Sequence, residues 1–183
     1  SGGKAFSKLS RTLNDRFYRN NSGTFTYESS ALNFPKFFST GAVTTGDINN
    51  DGYLDLIVGE RFDVDNYGIP GSVYILINNG NGKFTTKSPK ELQNIGMITD
   101  IAFTDINKDD RGDIVIVGEW MPISVFLNQD SNWKFISNDI GLQETSGIWQ
   151  NIETTDLNND GVPDLIVGNM GLNGFYKPKM KYY

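Results

Sequence analysis

The sequence predicts an all-β chain assembled from repeated four-stranded units. An acidic loop recurs three times, as DINNDGYLDLIVG (Asp47 to Gly59), DINKDDRGDIVIVG (Asp105 to Gly118) and DLNNDGVPDLIVG (Asp156 to Gly168). Asp47, Asp105 and Asp156 open the copies, so they start 58 and 51 residues apart. A second phrase of strand, turn and aromatic recurs at nearly the same interval. No long amphipathic helical pattern interrupts either series.

Each repeat begins with a strand that enters the loop. Val43, Ile101 and Ile152 stand four residues before the first Asp, and Thr45, Phe103 and Thr154 stand two before it. Alternate residues share one face of a strand, so these positions line up. After the loop come LDLIVG, DIVIVG and PDLIVG, short β-branched apolar runs ending in Gly. Such runs read as buried strands. A connector follows, then a hairpin: RFYRNNSGTF (Arg16 to Phe25), VYILINNGNGKF (Val73 to Phe84) and SVFLNQDSNWKF (Ser124 to Phe135). Asn, Gly, Ser and Asp make its turn, and an aromatic opens its second strand. Phe25, Phe84 and Phe135 lie 59 and 51 residues apart. SPKELQNIGM (Ser88 to Met97) holds a helical turn at most.

Four strands per unit of roughly 50 residues describe a β-propeller blade. The whole chain, 1–183, reads as one partial propeller domain. Its repeats fall at 15–40 (the end of a preceding blade), 41–97, 98–147 and 148–183 (incomplete). That is about three four-stranded blades, whereas closed propellers use about four to eight. The remaining blades are expected from sequence outside this chain.

The loops carry the chemistry. In the first, Asp47, Asn49, Asp51 and Asp55 offer side-chain oxygens at positions one, three, five and nine, and Tyr53 offers its carbonyl at seven. The second offers Asp105, Asn107, Asp109, the Arg111 carbonyl and Asp113; the third offers Asp156, Asn158, Asp160, the Val162 carbonyl and Asp164. Oxygen ligands at this spacing wrap a hard cation such as Ca²⁺, with water completing the shell. Up to three ions are expected, one per loop. Asp, Asn and Gly are also ordinary turn residues, but three copies with one spacing tell against a plain turn. An EF-hand is excluded, because its bidentate Glu at position twelve is replaced by Val58, Ile116 and Val167. Position six favours positive φ; it is Gly52 in the first loop and Asp110 in the second, which tolerates that conformation at some cost.

Composition narrows the function. The chain has 183 residues, 38% hydrophobic and 13% aromatic, enough for one ordinary core. No apolar run is long enough to span a membrane. A net charge of −6 and a pI near 4.6 argue against nucleic acid as a partner. The basic residues are scattered apart from Lys177, Lys179 and Lys181. With no Cys and no His, thiol nucleophiles, Ser-His-Asp triads and ordinary zinc sites are excluded, and no catalytic set stands out. Calcium loops of roughly 10⁻⁴ to 10⁻³ M affinity suit an extracellular, cell-surface or periplasmic home. The start at Ser1 and the ending KPKMKYY read as a piece of a longer secreted protein.

The loop D-x-N-x-D-G-x-x-D-L-x-V-G resembles the FG-GAP or VCBS repeat of integrin α-subunit propellers and many bacterial surface proteins. IVGEWMPI (Ile116 to Ile123) and GNMGLN (Gly168 to Asn173) resemble bacterial, often Bacteroidetes, relatives of the cartilage acidic protein family. The resemblance covers about residues 15 to 175. It implies a usually seven-bladed propeller with Ca²⁺ at the blade loops. It also implies a secreted or outer-membrane-associated, non-catalytic binding or scaffold subunit that contacts another surface protein or a glycan. A polysaccharide lyase propeller and a lectin are the alternatives. Trp120, Trp133 and Trp149, with Tyr53, Tyr67 and Tyr74, are candidates for stacking on sugars, Trp120 and Trp149 foremost. The connector Arg61 to Gly71 is the longest irregular insertion and a candidate binding loop. Arg111-Gly112-Asp113 spells RGD, but its Asp is the ninth loop position, so its carboxylate is expected to face the metal, and the residues after it to enter a buried strand.

Overall fold

The computed structural model describes residues 14–35, 38–63, 65–130 and 132–171. Lys177, Lys179, Lys181, the end of GNMGLN and the tail of the last repeat lie outside them. The described residues form twelve strands and no α-helix. In chain order they are β1 (Tyr18–Asn21), β2 (Thr24–Tyr27), β3 (Ser39–Gly46), β4 (Asp55–Phe62), β5 (Val73–Asn78) and β6 (Phe84–Lys87). Then come β7 (Met97–Thr104), β8 (Asp113–Met121), β9 (Ser124–Gln129), β10 (Asn132–Phe135), β11 (Gly147–Thr155) and β12 (Asp164–Asn169). A single 3₁₀ turn, Lys90–Leu92, fills the segment read as at most a helical turn.

Every pairing is antiparallel between neighbours in sequence, apart from one short contact. β3-β4-β5-β6 is a four-stranded meander, and β7-β8-β9-β10 repeats it. β11-β12 begins a third unit, joined to the second where Gly147 and Ile148 pair with Met121 and Glu119 at the end of β8. β1-β2 is a separate hairpin whose turn residues, Ser22 and Gly23, both take positive φ (53° and 95°). That combination matches the right-handed twist of its strands. The expected all-β blade architecture is what the chain adopts.

The apolar runs of β4 and β8 are continuous because both faces of these strands are buried, whereas β12 leaves Ile166 exposed. Ile114 and Ile116 of β8 face the first unit, packing with Ile57, Val73, Ile75, Ile98 and Phe126. Val115 and Val117 face the other way, against Val125, Ile152, Leu165 and Val167. β4 divides likewise: Ile57 joins that first cluster, while Val58 packs with Phe38, Tyr74 and Leu76. Successive sheets therefore stack face to face, each supplying one wall of the next core.

The strands β3, β7 and β11 carry a feature that periodicity did not show. Each breaks register with its partner at the sixth residue before the loop's first Asp: Gly41, Thr99 and Gln150 are left unpaired. A bulge of this kind bends a strand and increases its twist. At Thr99 the bulge also reaches the next unit, where the hydroxyl donates to the Trp149 carbonyl at 2.9 Å. Beside it, the Asp100 carboxylate accepts from its own strand at Ile101 N and from Ile152 N of β11, both at 2.9 Å.

The terminal Gly of each apolar run lies next to this bulge. A Cβ on Gly118 would stand 2.1 Å from the Met97 carbonyl oxygen, and one on Gly59 would stand 2.6 Å from Ile98 Cγ2. Backbone cannot retreat as a flexible side chain can. Gly118→Ala is therefore expected to cost about 1–3 kcal/mol, the scale of an overpacked core. It should appear as a lower urea midpoint with unchanged slope. An unchanged midpoint would show that the inner strands slide freely.

Candidate metal centre

The three acidic loops fold by one hydrogen-bonding scheme. The carboxylate at position one accepts two backbone amides. In the first loop Asp47 takes Asp51 N at 3.0 Å and Gly52 N at 2.8 Å. Asp105 takes Asp109 N at 3.2 Å and Asp110 N at 2.9 Å; Asp156 takes Asp160 N at 3.2 Å and Gly161 N at 2.7 Å. The Asn at position three accepts the same position-five amide and donates its own amide to the position-five carboxylate. That carboxylate in turn accepts the position-seven N–H, from Tyr53, Arg111 and Val162 at 2.8–3.0 Å. Two residues per loop turn left-handed: position six (Gly52, Asp110, Gly161), as read from sequence, and position four (Asn50, Lys108, Asn159), which was not.

Position nine behaves differently. Asp55 and Asp113 are fully buried. Asp55 accepts Ile48 N at 3.0 Å and Asn78 N at 2.7 Å, tying the loop's second residue to the far end of β5. Asp113 does the same with Ile106 N and Asn128 N, both at 2.9 Å. Asp164 accepts Leu157 N at 3.0 Å and is only half-buried. Burial pushes the Asp55 and Asp113 carboxyls above their usual range. The two amide bonds oppose that rise, and the neighbouring carboxylates at positions five and one add to it.

Cations are shared unequally among the loops. In the second, the Arg111 guanidinium lies 2.9 Å from Asp109 and 3.4 Å from Asp130. Burial raises the Asp109 carboxyl, but bonds from the Asn107 and Arg111 side chains and the Arg111 amide together hold it below its usual range. In the third, Lys108 reaches across from the second loop to the Asp160 carbonyl at 3.1 Å. The Val162 amide, then Asn158, and last Lys108 lower the Asp160 carboxyl. Among the described residues no Lys or Arg pairs with a first-loop carboxylate. That loop instead touches its neighbour through Asn50, whose amide donates to the Asp110 carbonyl at 3.3 Å.

The family model for the FG-GAP-like repeat matches this chain three times, at residues 9–58, 64–116 and 105–167. Each match runs through an acidic loop and stops a few residues into the strand beyond it. The chain belongs to the FG-GAP-like repeat family. No curated protein matches it.

The donor set of these FG-GAP-like repeats fits a hard cation in chemistry: carboxylate, amide and carbonyl oxygens, with no nitrogen or sulfur ligand. Positions one and three meet over a single amide, and the carboxylates at one, five and nine are close enough to repel one another. Among the described residues, though, no three acidic side chains are gathered into a metal cage. The oxygens close instead on loop amides.

The other nominated residues separate cleanly. Trp133 and Tyr74 are buried. Trp149 is half-buried against the second core, and its indole N–H lies 3.1 Å from the Met121 carbonyl and 3.0 Å from the Thr145 carbonyl. Tyr53, Tyr67 and Trp120 stay exposed. Asp113 of the RGD tripeptide is sealed in the sheet, its carboxylate accepting two backbone amides. Asn78 and Asn128 were missed as partners of position nine, although an Asn recurs at that strand end in both hairpins.

Asp113→Ala should cost about 2–4 kcal/mol in the presence of a chelator, since two buried amides lose their acceptor. Asp164→Ala should cost about half as much or less. Urea denaturation of both variants checks the difference; equal losses would rule out the anchoring role of position nine.

Proposed function

We propose that this chain is a calcium-stabilised binding module of a secreted or cell-surface protein. The observation that carries the reading is the single oxygen-only scheme repeated in all three loops. A bound Ca²⁺ would be held by the carboxylates at positions one, five and nine, the Asn at three and the carbonyl at seven. It would supply the charge that offsets mutual repulsion of the aspartates. Three ions would also offset the formal net charge of −6. The ion's part is structural: it pins each loop to the strands it joins and so fixes the spacing of successive blades.

The phrases IVGEWMPI and GNMGLN resemble bacterial relatives of the cartilage acidic protein family. A location at the bacterial outer surface and a role as a non-catalytic subunit follow from that resemblance. The partner is another surface protein or a glycan. Recognition is assigned to the sheet ends opposite the acidic loops, where the connector from β4 lies.

The loops are expected to differ in affinity. The first has no internal cation and should bind most tightly. The second should be weakest, because Arg111 already occupies Asp109. Arg111→Ala should therefore strengthen the weakest site in a calorimetric calcium titration. Chelation should lower the melting temperature; at calcium a hundredfold above Kd, each site contributes about 2.7 kcal/mol. No heat of binding and no change of melting point with EDTA would sink the calcium reading.

A further inference from the structure

The acidic loops occupy one end of β4 and β8. At the opposite end stand the connector that leaves β4 and the residues Glu119 and Trp120 that close β8. Glu119 is about nine-tenths buried, with 9% of its surface exposed. Its carboxylate accepts the Arg61 guanidinium and the Tyr67 hydroxyl, each at 2.5 Å. Arg61 and Tyr67 belong to the first blade and Glu119 to the second, so one carboxylate straps the connector across the junction of two blades. Charge-assisted bonds to a carboxylate are strong and directional. They fix where the Tyr67 ring lies.

That ring meets Trp120 edge-on, with centroids 6.0 Å apart and planes at 86°, and Phe62 with centroids 5.5 Å apart. Trp120 is 46% exposed and Tyr67 49%. Trp120 also sits at φ 56°, a left-handed backbone that is unfavourable for a bulky side chain. Strain of this kind persists where the surroundings enforce it, and it concentrates at ligand sites. The other two tryptophans are committed to packing or to backbone carbonyls. Trp120 instead combines partial exposure with a left-handed backbone and an edge contact with Tyr67.

We propose that Trp120 and Tyr67 form a saccharide-binding platform, with Glu119 as its positioning residue. The apolar face of a pyranose ring would stack on the indole. Arg61 and the exposed Asp65 and Asn66 of the same connector would offer hydrogen bonds to its hydroxyls. Two rings beside hydrogen-bonding side chains match the chemistry of a sugar unit. They fall well short of the roughly 800 Å² per partner that a stable protein interface buries. This assignment rests on the binding-module reading and narrows it to one ligand class; it does not depend on calcium.

The test is isothermal titration and saturation-transfer NMR with short oligosaccharides of glucose, mannose, xylose, galactose and a uronic acid. At least one should bind at millimolar or better affinity and quench tryptophan fluorescence. Trp120→Gly suits the positive φ, so it should fold with a melting temperature close to the parent and bind roughly tenfold or more weakly. Trp120→Phe should recover part of the affinity. Glu119→Gln should alter the near-ultraviolet circular dichroism of the Tyr67–Trp120 pair and weaken binding, while far-ultraviolet spectra stay the same. Binding that survives Trp120→Gly, or no binding by any sugar of the panel, overturns the platform. A purified protein partner that requires Trp120 and ignores added sugar would overturn the saccharide assignment and leave the binding module standing.

Discussion

The buried aspartate at the ninth loop position is the constraint on which the rest depends. In the first two blades its carboxylate sits at the start of the second strand and holds two backbone amides, one from the loop and one from the end of the third strand. Burying a carboxylate is costly unless it is well bonded. Once bonded in this way it sets three things together: the curl of the loop, the start of the buried strand and the register of the hairpin that follows. Asn128 extends the tie, since its side-chain amide donates to the Ile48 carbonyl of the preceding blade at 2.9 Å. A local loop device thereby becomes a contact between blades.

The inner strands add a second coupling. Their bulges bring the backbone of one unit against the next, which leaves no room for a Cβ at Gly41, Gly59 or Gly118. Thr99 and Asp100 then bond directly to β11. The blades are not beads joined by linkers. Hydrophobic stacking supplies the bulk of their association, and these few polar ties fix its geometry, because a buried amide accepts only a partner at the right place.

The two ends of the sheets carry different chemistry. One end holds the acidic loops, linked in series by Asn50 and Lys108. The other holds the Glu119 strap and its exposed aromatics. Antiparallel pairing enforces this separation: the loop before a strand and the connector after it must lie at opposite ends. A charge-rich rim at one end is thus kept apart from the exposed aromatics at the other.

Much of the fold was legible because its signals are local and repeated. Periodicity and turn residues located the strands; the double-sided apolar runs of β4 and β8 announced burial on both faces. The spacing of Asp47, Asn49, Asp51 and Asp55 announced one folded loop, and its copies announced one architecture. Asp and Asn report what they are able to ligate, so the oxygen-only donor sets were visible in the chain itself. The bulges, the left-handed turn at position four and the pairing of Asp55 with Asn78 were not, because they arise from where the backbone runs once sheets pack. The sequence nominated Trp120 and Trp149 alike. Only tertiary structure separated them, since exposure depends on which carbonyls and cores stand nearby: Met121 and Thr145 engage Trp149, while Glu119 and Tyr67 brace Trp120 at the surface.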